Sequence, residues 1–193
     1  MDDNFFTNNK RAIEILDLMR KYGYKIKQTH SNLNSLSDDM LKRCEGIVGK
    51  MGISIEHGDD KIRNELLNKN INIDRAHEAI ALLKTLNIST IHNFIFGLPI
   101  WQLDFDNFKA MMEIKKINPA SKGIGFGYVS MPETPLTKDV EKEYGNFPKN
   151  RKFWSSFNMT NIEPKYSPWL DQESAENLNK MVKLFNDKFW EIN

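Results

Sequence analysis

The sequence predicts an α/β protein: a partial parallel (β/α) barrel, then an irregular aromatic-rich segment and a C-terminal helix. Three observations predict it. Strand-like runs recur at 24–29, 51–55, 90–98 and 123–130. The gaps between them carry apolar residues at helical spacing, and a β-α-β-α-β-α-β order calls for right-handed crossovers and a parallel sheet. A complete eight-fold barrel typically needs about 250 residues, whereas this chain has 193 and about half the units.

Taken in order, a first helix is expected over 8–22, where Ala12, Ile15, Leu16, Met19 and Tyr22 share one face and Gly23 stops the run. The first strand, 24–29, is the weakest, with Tyr24 and Ile26 alternating with lysines. Ser37 caps a short helix whose first turn holds Asp38 and Asp39. In the second strand Met51, Ile53 and Ile55 alternate with Gly52, Ser54 and Glu56, so one face is apolar and the other ends on a carboxylate. His57-Gly58 closes it, and Asp59-Asp60 sits where a helical turn over 61–67 welcomes negative charge. Asp74 is expected to cap the next helix, with Ala76, Ala79, Ile80, Leu83 and Leu86 on one face. The third strand, 90–98, halts at Gly97 and Pro99; a helix over 103–117 ends before Asn118-Pro119. A glycine-rich fourth strand, 123–130, leads into MPETPL. Beyond 138 the aromatics Phe147, Phe153, Trp154, Phe157, Tyr166 and Trp169 lack a clear period, and a terminal helix starts at Asp171 or Ser174.

Composition removes several function classes. With 27 basic and 26 acidic residues the net charge is +1, and no basic stripe supports nucleic-acid binding. The longest apolar run, 94–101, is too short to span a bilayer, and the acidic start MDDNFF is unlike a signal peptide, so a cytoplasmic location is expected. A single cysteine, Cys44, excludes an internal disulfide and a cysteine metal cluster built by this chain alone.

Ligands of α/β proteins bind at the carboxyl ends of parallel strands, which makes Glu56 the first residue to suspect of chemistry. Its bland role is to cap the following turn or pair with a lysine. His57 beside it is placed either to contact a ligand or to satisfy a loop carbonyl. His30, His77 and His92 fit no zinc spacing, so no metal site is expected. Cys44, on an apolar helix face, is a small buried hydrophobe. Gly123, Gly125 and Gly127 either let a cofactor approach or let elements pack tightly, and they form no GxGxxG. The aromatic segment lines a pocket or, as the safer expectation, packs over an open sheet edge.

DDNFFTNNKRA, MGISIEHGDDKIRNELL, HNFIFGLP and VSMPETPL, in this order, resemble the later part of radical S-adenosylmethionine enzymes, most nearly the branch that often carries a cobalamin-binding domain. The likeness covers 1–137. It implies a barrel that holds S-adenosylmethionine against a four-iron–four-sulfur cluster, whose ligands are the cysteines of a CxxxCxxC loop, and a 5′-deoxyadenosyl radical made from the cofactor. It places Asp2 and Asp3 near the methionyl group, Glu56 and His57 near the ribose or methionyl end, Ile95 and Gly97 against adenine, and Ser130 and Met131 at the adenine edge. The chain departs from the pattern twice: it has no CxxxCxxC loop, and Ile100-Trp101 follows Gly97-Leu98-Pro99 where relatives commonly continue Gly-Glu.

The expected organisation is therefore a partial barrel over 1–137 and a C-terminal extension with its helix over 138–193. The resemblance implies a fragment that contributes cofactor and substrate contacts and is inactive alone, with cobalamin as a further cofactor of a full-length protein. Its partners are the cofactor, a substrate left undefined, and a companion segment supplying the first strands; neither nucleic acid nor membrane is expected. Two other classes stand beside it: a non-catalytic half-barrel completed by another chain, and a cluster-free enzyme with Glu56 as general base.

Overall fold

The computed structural model describes residues 4–99, 104–131, 134–148, 151–155 and 158–190. A four-stranded parallel sheet runs β1 (Thr29–Ser31), β2 (Lys50–Ile53), β3 (Ser89–Phe96) and β4 (Lys122–Gly127), neighbours in space in chain order. Helices α1 (Asn9–Tyr22), α2 (Asp38–Arg43), α3 (Ile73–Thr85) and α4 (Phe105–Ile117) separate or precede the strands, and α5 (Pro135–Tyr144), α6 (Arg151–Trp154) and α7 (Gln172–Phe189) follow them. This is the expected α/β half-barrel wall.

The period-two pattern decides which face is covered. Met51, Ile53, Ile55, Phe94 and Phe96 are fully buried in one apolar core with Ala12, Leu16, Leu41, Ile80, Leu83 and Met111 from the helices. Their alternates His30, Gly52, Asn93 and Ile124 fall on the opposite face, in register His30↔Gly52 and Asn93↔Ile124. That face corresponds to the inside of a barrel wall.

Several boundaries differ from the sequence reading. The first strand lies at 29–31 rather than 24–29, because β2 starts only at Lys50 and a ladder can form only opposite it; Ile26 makes a single bridge to Val48. The 61–67 turn is a π-helical turn, Ile62–Leu66. Asn72, with extended backbone and its side chain accepting from Arg75 N–H, caps α3 in place of Asp74, which sits in the first turn. The helical turns at α5 and α6 carry no period visible in the sequence, and β4 stops at Gly127 rather than Ser130.

The free edge of β4 is closed by the tail. Asn186 on α7 accepts from Gly125 N–H at 2.7 Å and donates to Gly125 C=O at 3.2 Å, so one side-chain amide stands in for a ladder rung. Asn179, two turns earlier on α7, makes the same pair of bonds to Ile162, at 2.7 and 2.9 Å, and Gly127 N–H reaches Met159 C=O at 2.8 Å. A Cβ at Gly123 or Gly125 would press on Met111, Phe96 and Phe185. The glycines thus serve close helix packing, and Phe185 takes their space, its ring 5.3 Å from Phe94 and 5.1 Å from Phe96 and Phe108. Phe147 and Tyr166 are buried, and the Tyr166 hydroxyl donates to Phe153 C=O. Phe157 and the side chain of Trp154 lie outside the described residues.

Candidate functional site

Beyond β2 the chain touches β3 once more, at Glu56. Its N–H donates to Asn93 C=O at 2.8 Å and its C=O accepts from Ile95 N–H at 2.6 Å. Between these bonds Glu56 holds φ +72°, a left-handed conformation that costs a residue with a side chain on the order of 1–2 kcal/mol. Strain of this kind persists where surrounding bonds over-determine it and gathers at functional sites. Here it puts the carboxylate at the mouth of an open cleft of about 440 Å³, lined by Asn4, His30, Ser31, Asn32, Ser54, Glu56, Lys69, Ile71 and Asn93.

The carboxylate is ion-paired with Lys69, Nζ to Oε1 3.0 Å, and its side chain is only 13% exposed. The bland role, pairing with a lysine, is therefore realised at the cleft itself. Asn93 donates to Ser54 Oγ at 3.3 Å, and His30 lies across Gly52, where a Cβ would strike its ring. The remaining wall is formed by asparagine and serine side chains, His30 and the apolar Ile71, and the Glu56–Lys69 pair sets a carboxylate and an ammonium within this small volume.

Lys69 comes from the link between the π-helical turn and α3. Asn68 and Asn70, on either side of it, both have positive φ, 50° and 49°. Asn64 accepts from Ile71 N–H at 2.8 Å and donates to Ile71 C=O at 3.2 Å. Arg63 is fully buried; Nη1 donates to His57 C=O at 2.6 Å, Nε to Ile71 C=O at 3.4 Å, and Nη2 meets the Asp60 carboxylate. Burial pushes the guanidinium pKa down, and the Asp59 charge opposes that.

His57 does not line the cleft. It is 1% exposed; Nδ1 accepts from Asp59 N–H at 3.0 Å, which leaves Nε2 facing Asp104 Oδ1 at 3.7 Å. Asp104 also accepts from Gly97 N–H at 2.9 Å, and Asn107 joins Gly58 N–H to Ile95 C=O, both at 2.8 Å. These bonds tie the ends of β2 and β3 to the start of α4. Gly58 has to be glycine because a Cβ would run into the Asp106 carbonyl.

Ile95 lies on the sheet face opposite the helices, paired with Phe126. Gly97 has φ +71°, and its C=O accepts from the Trp169 indole N–H at 3.2 Å; the Trp169 ring lies 5.7 Å from that of Tyr128. Ser130 is buried and its Oγ completes no aligned hydrogen bond. Met131 is 46% exposed, and its C=O accepts from Thr137 Oγ1 at 2.6 Å and Thr134 Oγ1 at 3.1 Å. Burial raises the Tyr128 pKa, opposed by the nearby hydroxyls of Ser130, Thr137 and Thr134. Glu56, Ile95, Gly97, Ser130 and Met131 thus all sit at or beyond the carboxyl ends of β2, β3 and β4, and Glu56 and Ile95 are directly bonded. Asp2, Asp3, Ile100 and Trp101 lie outside the described residues. Of the cleft residues, sequence reasoning named only Glu56 as a ligand contact, and no sequence signal pointed to Lys69, since the positive φ of Asn68 and Asn70 is visible only in the structure.

Other titratable groups serve the interior. Among the described residues no three His, Cys, Asp or Glu side chains converge on a metal-binding position. Cys44 is buried, its Sγ donates to Met40 C=O at 3.3 Å, and burial pushes the thiol up to about 12 against the opposing charge of Arg20. His92 is fully buried between Thr90 Oγ1 (2.8 Å) and Ile53 C=O (3.0 Å). Burial lowers its pKa to about 4, the Ile53 carbonyl opposing and His77 adding to the shift. No described helix is long and apolar enough to cross a membrane.

No protein-family model matches the sequence, and no curated protein matches it. Among the solved structures that resemble the chain are two radical S-adenosylmethionine enzymes. One is the radical S-adenosylmethionine methyltransferase TsrM from Kitasatospora setae, with tryptophan substrate and an S-adenosylmethionine analogue bound: TM-score 0.61, 11% identity, covering 74% of this chain and 29% of that one. The other is coproporphyrinogen III oxidase (HemN) from Escherichia coli, a radical SAM enzyme: TM-score 0.61, 13% identity, covering 94% of this chain and 37% of that one. The chain thus spans about a third of the length of the structures it matches. At these identities the likeness is one of fold: this chain has the fold of part of the parallel (β/α) barrel in two radical SAM enzymes.

Proposed function

We propose that the chain forms the later strand ends of a radical S-adenosylmethionine enzyme, contributing cofactor and substrate contacts, and does not carry out the radical reaction by itself. One observation carries the reading. On a fold shared with two radical SAM enzymes, Glu56 is held in a left-handed backbone at the carboxyl edge of the sheet, on a polar cleft of about 440 Å³.

The donor set suits S-adenosylmethionine. Glu56 accepts from an ammonium or from ribose hydroxyls, Lys69 complements a carboxylate, and Asn93 and Ser54 offer neutral bonds beside them. When bound next to a reduced cluster, the cofactor supplies a 5′-deoxyadenosyl radical. This chain's own residues bind and orient.

The four-iron–four-sulfur cluster does not fit the residues present. It takes three thiolates, and the one cysteine here is buried, hydrogen-bonded and held protonated by its environment. On this reading its ligands come from another segment or chain. Likeness of the four motifs to the cobalamin-associated branch makes cobalamin a further cofactor of the complete enzyme. Equilibrium dialysis of S-adenosylmethionine tests the reading: Glu56→Gln is expected to weaken binding about tenfold, since a charge-assisted hydrogen bond is worth about 1.5–3 kcal/mol. Equal binding by both proteins would remove Glu56 from the site.

A further inference from the structure

We infer that Arg63 is a positioning residue that sets Glu56 against Lys69 across the cleft. The inference rests on the functional reading only for what the pair binds.

The two charges come from different segments, and both segments hold unusual backbone. Of the four non-glycine residues with positive φ among the described residues, Glu56 carries one half of the pair and Asn68 and Asn70 flank the other. Conformations of this kind last only where bonds from outside the segment fix them. Arg63 supplies bonds to both. Its Nη1 holds the carbonyl of His57, next to Glu56, and its Nε holds the carbonyl of Ile71, two residues past Lys69 and itself on the cleft. Its own carbonyl accepts the Lys69 N–H at 3.1 Å. A planar guanidinium can address two carbonyls at fixed angles, while an ammonium on a flexible stem cannot. The charge is neutralised from the solvent side by Asp60, whose side chain is 68% exposed. A residue needed only to fill the core at this position would be apolar, since a buried cation is costly to desolvate.

The test reads the Glu56–Lys69 pair directly, using acetylation of Lys69 by a water-soluble N-hydroxysuccinimide ester, quantified by peptide mass spectrometry with Lys183 as the exposed reference. Pairing with Glu56 protects the amine, so Glu56→Gln is expected to raise the Lys69 rate about fivefold. Arg63→Lys is expected to raise it by a similar factor, and the double variant no further. Folding of each variant is checked by its thermal melt. An Arg63→Lys protein that melts earlier yet keeps the wild-type Lys69 rate would assign Arg63 to stability alone and overturn the proposal. If Arg63→Lys fails to fold, Asp60→Asn replaces it; it unpairs Nη2 and is expected to raise the rate about twofold, and an unchanged rate again overturns the proposal. In a parallel calorimetric titration with S-adenosylmethionine, Arg63→Lys is expected to bind about tenfold more weakly. A wild-type chain that takes up none of it counts against the functional reading, while the acetylation rates still decide the role of Arg63.

Discussion

Glu56 and His57 are adjacent in sequence and end on opposite sides of the sheet edge, Glu56 on the cleft and His57 buried behind it. Alternation in β2 made Glu56 readable, because Gly52, Ser54 and Glu56 had to share a face. Its partner was not readable: Lys69 reaches it only through the π-helical turn and two left-handed asparagines, none of which has a periodic signature. The histidines divide in the same way. His92 alternates with Phe94 and Phe96 and shares their covered face, where it is fully buried with pKa lowered to about 4. Between the usual value of 6.5 and about 4 the unfolded chain binds the extra proton and the folded chain does not. Stability therefore rises with pH across that window. The part owed to His92 is present above pH 6.5, lost as pH falls through 4, and amounts to about 3 kcal/mol. Urea denaturation at pH 7 and pH 4.5 is expected to show this loss in the wild type and a smaller one in His92→Gln; equal losses would mean another group dominates acid unfolding.

Among the elements, α1 was legible to within a residue because a periodic face and the Gly23 stop agree; the structure adds Asn8 as its cap. The start of α3 was misplaced because Asn72 and Asp74 both suit helix starts, and only the extended backbone at Asn72 separates them. The first strand was displaced because a strand needs a partner, and where β2 begins is not encoded in 24–29. The glycines of β4 left two roles open; the ring of Phe185, 60 residues further on, decides for packing. α7 also ends the sheet, through Asn186 on Gly125. Asn186→Ala leaves a buried strand N–H and C=O unpaired and is expected to cost about 2 kcal/mol in urea denaturation. A loss within 0.5 kcal/mol would mean that water or a neighbour replaces the amide.

For the molecule as a whole, one side of the sheet is packed with helices, and the other carries His30, Gly52 and Asn93 beside the apolar Ile91, Ile95, Ile124 and Phe126. The sheet's carboxyl edge is held by bonds that do not depend on any ligand: Asp104 and Asn107 from α4, Arg63 from the π-helical turn, and Trp169 from the tail. That edge is pre-organised, as a binding edge needs to be. A second depression, of about 560 Å³, lies at the amino ends of the strands beside Lys25, Lys27 and Lys50. Ligands of parallel α/β sheets bind at the carboxyl ends, so no cofactor contact is expected there. Backbone amide chemical shifts measured by NMR during a titration with S-adenosylmethionine separate the two ends. Shifts clustered at Glu56, Lys69, Asn93, Gly97 and Ser130, and reduced in Glu56→Gln, are expected. Shifts confined to residues 25–28 and 45–50, or none at millimolar cofactor, would contradict the assignment of the carboxyl edge as the S-adenosylmethionine site.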